Sequence, residues 1–229
     1  MDMARRARTV AVFATLALGL SLMPAAVLNA KTPAPAPAGS ADVKGADTRA
    51  ADLARIEKYL NNVRTMTAHF LQSTNDGGEA EGTLYLQRPG KLRLEYAPPT
   101  PVLIVSDGNL VHYYDSELNQ VSQVGLSSTP ASVLVRDTYK LEGDVRVSNY
   151  ERGPGVIRLT LTDAKNPDVG SLQLTFQDDP LVLKAWTVTD AQGVVTNVAL
   201  SDTHRDVTLS PKLFDFVDPT RPASPFGNQ

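Results

Sequence analysis

The chain has 229 residues, no cysteine, 42% apolar residues and a formal net charge of −3. The length fits one domain of ~100 to 200 residues with extensions, and the missing thiol excludes disulfides, thiolate metal sites and a cysteine nucleophile. Beyond residue 30 there are 19 basic and 24 acidic residues, a charge of −5 that argues against nucleic acid, whose phosphates need clustered Lys and Arg.

Taken in chain order, Arg5, Arg6 and Arg8 precede an almost wholly apolar run from Val10 to Val27, and a small residue, Ala30, follows. This pattern predicts an export signal over residues 1–30, cleaved near Ala30. The run approaches the ~20 residues of a membrane span, but Gly19, Ser21 and Pro24 weaken it as an anchor. Residues 31–47, with Pro33, Pro35 and Pro37 among Ala, Gly and Ser, read as a flexible linker. Asp47 or Thr48 then caps a predicted helix reaching Val63, in which Leu53, Ile56, Leu60 and Val63 recur at helical spacing.

From Thr65 the period changes to two. Met66, Ala68 and Phe70 alternate with Thr67, His69 and Leu71, and Asn75-Asp76-Gly77-Gly78 supplies a turn. Further strands are predicted over Ala80–Arg88, Leu92–Ala97, Val102–Ser106, Leu110–Tyr114 and Gln120–Val124. After a break, Thr129 as cap and Pro130 at the first helical position start a short helix whose Ala131, Val133, Leu134 and Val135 are apolar. Strands resume at Val145–Tyr150, Val156–Leu161, Ser171–Phe176, Leu183–Thr189 and Val194–Leu200, and Leu213–Val217 precedes a Pro-rich tail, 219–229. About eleven antiparallel strands at short spacing predict a mainly β fold with some helix, a strongly curved sheet or barrel that the helices cover. A wide or incompletely closed barrel leaves a cavity inside.

Catalytic and metal-binding patterns are weak. His69, His112 and His204 have no partner at zinc-ligand spacing, and no nucleophile elbow, zincin, P-loop or dinucleotide fingerprint is present. No cofactor is expected, and an enzyme is not. The informative residue is Arg88, at period two after Leu84 and Leu86 and so on their face. A two-residue turn at Pro89-Gly90 pairs Arg88 with Lys91 and adds Arg93 and Glu95 to that face. A three-residue connection or bulge pairs it with Leu92 and adds Leu94 and Tyr96, making one coherent apolar surface. An arginine there must find acceptors, and the unsatisfied carbonyls of a short helix suit it.

The run from Arg88-Pro-Gly-Lys-Leu-Arg-Leu-Glu-Tyr through Pro99, Ile104-Val-Ser-Asp-Gly and Val111-His-Tyr-Tyr-Asp resembles the outer-membrane lipoprotein carriers, the LolA family. Phe70-Leu-Gln, Gln120-Val, Thr129-Pro-Ala and Phe214-Asp-Phe extend the likeness over residues 50 to 218, within an expected domain at 48–218. The resemblance implies an unclosed antiparallel barrel with an apolar cavity covered by helices. It implies a periplasmic, monomeric shuttle that binds acyl chains of lipoproteins, with an inner-membrane ABC exporter as donor and an outer-membrane lipoprotein receptor as acceptor. It assigns Arg88 as the latch of a lid formed by Pro130 to Val135, and places Met66, Phe70, Leu92 and Leu94 on the cavity wall. The family often has aromatic residues where this chain has Leu92 and Leu94. Parity and helix spacing add Leu53, Ile56, Leu60, Leu84, Leu86 and Tyr96 to the expected acyl-chain cavity. The receptor of such a pathway is usually lipid-anchored, and a chain without cysteine cannot carry that anchor. Competing readings are a carrier of free lipid or glycolipid, a hydrolase acting on a lipid or glycan, and a structural partner-binding sandwich.

Overall fold

The computed structural model describes residues 41–221 except Asp76, Glu142 and Asp144, with side chains from residue 46 onward. The expected signal sequence, the linker up to residue 40 and the tail at 222–229 lie outside the described residues. The chain from Arg49 onward forms a compact unit that holds the whole sheet.

Helix α1 (Ala41–Asn62) begins before the expected cap at Thr48 and overlaps the end of the expected linker; its frequent alanines favour the helix over an open chain. Its stripe of Leu53, Ile56 and Leu60 is buried. Tyr59 joins that stripe, and its hydroxyl accepts a hydrogen bond from the Leu183 amide at 3.1 Å. Among the described residues no helix is long and apolar enough to cross a membrane.

Eleven strands follow: β1 (Thr65–Thr74), β2 (Glu79–Gln87), β3 (Lys91–Tyr96), β4 (Val102–Asp107), β5 (Leu110–Asp115), β6 (Gln120–Gly125), β7 (Val145–Gly153), β8 (Val156–Asp163), β9 (Gly170–Gln177), β10 (Val182–Asp190) and β11 (Val195–Arg205). They form one antiparallel sheet in the order β6-β5-β4-β3-β2-β1-β11-β10-β9-β8-β7. Two meanders of sequential hairpins thus meet where β1 pairs with β11, and β6 and β7 remain as edges. The barrel is unclosed, as expected.

Alternation gives the sheet a greasy inner face. Phe70, Leu84, Ile157, Leu159, Leu161, Leu172, Leu174 and Phe176 have no exposed surface at all and belong to one core with the α1 stripe. Gly82 on β2 is required there, because a Cβ would lie 2.0 Å from the Glu95 carbonyl oxygen and 2.9 Å from the Phe70 ring. The outer face carries a smaller cluster. A C-terminal 3-10 turn, Pro211–Phe214, lies where the sequence suggested a last apolar segment, and it buries Phe214 near β3 and β4. Arg93 donates to the Leu213 carbonyl at 3.0 Å, and the His112 ring stacks on Phe216 with centroids 4.6 Å apart.

From β6 a 3-10 turn, Leu126–Ser128, leads to α2 (Ala131–Leu134), a single helical turn. It is shorter than the expected Pro130–Val135, and Thr129 does not cap it, because its hydroxyl donates to the Leu126 carbonyl at 2.9 Å instead. Pro130 takes the cap position and fits against Gly170, where an added Cβ would come within 3.0 Å of the proline ring.

One ionic cluster fixes α1 to the sheet. The Asp52 carboxylate, 4% exposed, meets Arg55 at 3.1 Å and Arg152 from β7, and accepts from the Tyr150 hydroxyl at 2.7 Å. Both arginines also reach Asp178 after β9. Burial pushes the Asp52 carboxyl up, but the hydrogen bonds from Tyr150 and Arg152 and the charges of Arg152 and Arg55 outweigh it and hold it below its ordinary value. A depressed native pKa contributes stability above the unfolded value of ~3.9, lost as pH falls through the native one. Asp52→Asn is therefore expected to destabilise by about 2 kcal/mol near neutrality, with the gap to wild type shrinking below pH ~4 in urea titrations across pH. Gly82→Ala is expected to cost about 1–3 kcal/mol by overpacking, read as a lower urea midpoint.

Candidate functional site

The hairpin between β2 and β3 pairs Gln87 with Lys91, Leu86 with Leu92 and Leu84 with Leu94. The loop is therefore Arg88-Pro89-Gly90, three residues long. This corrects both registers derived from the sequence, since Arg88 pairs with neither Lys91 nor Leu92 and sits in the turn itself. The apolar face of the second register survives because the observed register differs from it by two residues, which preserves side-chain parity.

Freed from the strand, Arg88 turns its side chain onto the end of α1. Its Nε donates to the Val63 carbonyl at 2.7 Å and its Nη2 to the carbonyls of Leu60 and Val63. Its Nη1 donates to the Arg136 carbonyl just beyond α2, at 3.2 Å. The expected acceptors were those of the short helix. Most belong instead to the long one, whose last carbonyls lack intrahelical partners and carry the negative end of the helix dipole. The guanidinium stands 5.1 Å from the centroid of the Tyr139 ring. Burial pulls its pKa down; the Tyr139 hydroxyl and Asp137 oppose this and Arg64 adds to it, and the group stays charged.

The segment after α2 is fastened to the same place. Asn61 donates to the Tyr139 carbonyl at 3.1 Å and accepts from the Tyr139 amide at 2.8 Å. Glu57 accepts from the Leu141 amide at 2.9 Å, and the wholly buried Tyr139 hydroxyl donates to the Leu134 carbonyl at 2.7 Å. Burial pushes that phenol up to about 12, against the charges of Arg88 and Arg136. The Gly90 amide donates to the Val135 carbonyl at 2.8 Å, so the latch loop itself holds the end of α2. Gly90 has φ +77°, and a Cβ there would come within 2.7 Å of Gly108. Asn61, Tyr139 and Glu57 carried no sequence signal for this role, because each bond spans 78 or 84 residues of chain.

The residues expected to line a cavity are gathered in one core, those of α1 facing those of the sheet. Leu53, Ile56, Leu60, Met66, Phe70, Leu84, Leu86, Leu92 and Leu94 are all buried in the single core, with Tyr96 packed against it. Val133, Leu134 and Val135, in the segment expected to form a lid, are buried in it too, while Ala131 is half-buried. The space beside Arg88, lined by Leu60, Met66, Leu86, Leu134 and Tyr139, holds about 20 Å³. That is room for about one water. Towards the β6 edge the inner face is less covered: Val102, Val111, Tyr113 and Val124, which by register share the face of Leu92 and Leu94, are half-buried or exposed. Sequence reasoning missed these four, although their parity was available once the register was known.

The histidines stand apart. His69 and His204 are at exposed or half-exposed positions, and His112 lies on the outer face, with its Nε2 at 2.9 Å from Asp107. Burial pushes the Asp107 carboxyl up, but that contact and the Leu110 and Asn109 amides hold it down at about 2. Among the described residues no three His, Cys, Asp or Glu side chains are grouped to hold a metal ion.

Comparison with known proteins bears on this site. The family described as "Outer membrane lipoprotein carrier protein LolA" matches residues 61–217. An outer-membrane lipoprotein carrier protein of Pseudomonas syringae pv. syringae is 32% identical over 178 residues, 73% of this chain and 84% of that one. One of Chromohalobacter salexigens is 34% identical over 176 residues, 72% of this chain and 82% of that one. A crystal structure of a LolA superfamily protein from Nitrosomonas europaea, 13% identical, superposes with a TM-score of 0.41 over 71% of this chain and 97% of that one. The chain, with its open eleven-stranded sheet and the likeness running from the end of α1 to the C-terminal turn, belongs to the LolA family of outer-membrane lipoprotein carriers.

Proposed function

We propose that this protein is a periplasmic carrier that takes the acyl chains of lipoproteins against its apolar inner wall and moves them from the inner to the outer membrane. The observation that carries the reading is the Arg88 clamp, a buried cation joining the end of α1, the latch loop and the exit of the lid over an otherwise apolar interior. Family membership supports it, as do relatives named as lipoprotein carriers. Residues 1–30 are the export signal, and the donor and acceptor are an inner-membrane ABC exporter and an outer-membrane receptor. The carrier acts as a monomer and by non-covalent binding rather than as an enzyme.

The physics suits reversible carriage. Each buried methylene contributes ~0.8 kcal/mol, so acyl chains are retained without covalent chemistry and yield to a stronger apolar competitor. The interior beside Arg88 is nearly filled, so cargo entry requires the lid residues Val133, Leu134 and Val135 to leave the wall. The wall positions Met66, Phe70, Leu84, Leu86, Leu92 and Leu94 then meet the acyl chain in place of the lid and the stripe of Leu53, Ile56 and Leu60.

The latch therefore stabilises the empty, closed state. Arg88→Leu is expected to raise amide exchange over 131–135 by roughly 30-fold, the equivalent of about 2 kcal/mol for lost charged hydrogen bonds. It is also expected to bind an acylated peptide more tightly and release it more slowly, because opening then requires less free energy. Hydrogen exchange and fluorescence titration with a dansylated lipopeptide measure the two effects. Faster lid exchange with unchanged binding would show that the lid does not gate the wall, and no binding by the wild type would refute the carrier reading.

A further inference from the structure

Most buried polar groups of this sheet find internal partners, while Gln87 Oε1 on β2 and His112 Nδ1 on β5 are sealed without one. On the inner face of β4, the Ser106 hydroxyl donates to the Gly90 carbonyl at 2.7 Å. On β5, Asp115 accepts from the Glu117 and Leu118 amides in the following turn. At the end of β8, Asp163 accepts from the Lys165 and Asn166 amides and from Arg136. Gln72 on β1 is different. It is 5% exposed and follows Met66, Ala68 and Phe70 on the inner face. Its side-chain carbonyl accepts from the Tyr96 hydroxyl at 2.7 Å, but its amide nitrogen meets no acceptor among the described residues. That nitrogen is also not among the sealed, unpaired polar atoms, so it opens onto accessible space.

The pair is built across a gap. Tyr96 on β3 lies opposite Gly82 on β2, and Gln72 on β1 lies opposite Ala80. Because these two β2 residues are small, the Tyr96 ring packs edge-on against Phe70, with centroids 5.1 Å apart, and its hydroxyl crosses β2 to reach Gln72. Tyr96 also lines an open groove of about 420 Å³ with Pro98, Pro99, Val102 and Tyr114. The six-residue step from Gln72 to Met66 covers ~20 Å of strand, with Phe70 and Ala68 between. A polar fixture whose N–H donors meet no acceptor among the described residues thus stands at one end of the apolar wall, held by Tyr96, which itself lines the open groove.

We infer that Gln72, oriented by Tyr96, is a polar subsite that donates hydrogen bonds to the ester carbonyls joining acyl chains to the glyceryl group of a lipoprotein. The inference rests on the carrier reading and deepens it. It sets the direction of the cargo: glyceryl and peptide at the Tyr96 groove, acyl tails running along β1 to β3 towards Met66 and Arg88. Cargo that covers the wall displaces water from this amide; carbonyl acceptors arriving with the cargo then satisfy it, while a bare hydrocarbon does not.

The test compares a synthetic S-diacylglyceryl-cysteine peptide with its dialkyl-ether counterpart, which has the same chain length and the same peptide but no ester carbonyls. Wild type is expected to bind the ester form about fivefold more tightly. Gln72→Leu is expected to abolish the preference while leaving ether binding within about twofold. Tyr96→Phe, which keeps the ring on Phe70, is expected to give an intermediate ratio and serves should Gln72→Leu fold poorly. Equal wild-type binding of the two forms, or a parallel loss of both in Gln72→Leu, overturns the subsite. Absence of binding to either form by wild type overturns the carrier reading itself.

Discussion

A guanidinium buried among hydrocarbon is tolerated only when its donors are met, since an unpaired buried charge costs several kcal/mol. Arg88 meets that condition with the carbonyls of Leu60 and Val63, which need donors of their own because α1 ends there. Each side thus resolves the other's deficit: the cation is neutralised by the negative end of a helix, and the helix end gains charged donors beyond the Val63 amide that already reaches the Leu60 carbonyl at 3.3 Å. The third acceptor, on Arg136, brings the chain leaving α2 into the same arrangement. The clamp, the Asn61–Tyr139 pair and the latch-loop bond to Val135 all depend on the end of α1 and the β2–β3 turn staying together.

The interior beside that clamp is filled by the protein's own apolar side chains. A permanently open acyl cavity would expose a large apolar patch to water whenever the carrier is empty, an arrangement soluble proteins rarely retain. Here Val133, Leu134 and Val135 and the α1 stripe cover the inner face of the sheet instead.

Much of this was legible in the sequence because alternation and helical spacing are local. The strands, the stripe of Leu53, Ile56 and Leu60, and the wall of Leu84, Leu86, Leu92 and Leu94 all follow from period and parity. The hairpin register did not: a two-residue slip preserves every face, so composition could not show that Arg88 sits in the turn. The acceptors of Arg88 were assigned to the wrong helix, because α2 is one turn long while α1 supplies the exposed carbonyls. Tyr139, Asn61 and the Tyr96–Gln72 bond were invisible for a related reason. Each joins residues distant in sequence through the curvature of the sheet, and Gly82 marks only in retrospect the place where Tyr96 passes.

The open order of the sheet bears on how such a nearly solid interior can admit a lipid. In a closed barrel, strand number and shear fix the diameter, and every change of girth breaks ladder hydrogen bonds. In this chain the circuit from β6 to β7 is completed by covalent backbone, residues 126–144, rather than by strand pairing. Separation of the two edges would therefore break none of the ten strand–strand ladders. Girth is set by side-chain contacts and by the crossing segment, not by a closed hydrogen-bond circuit.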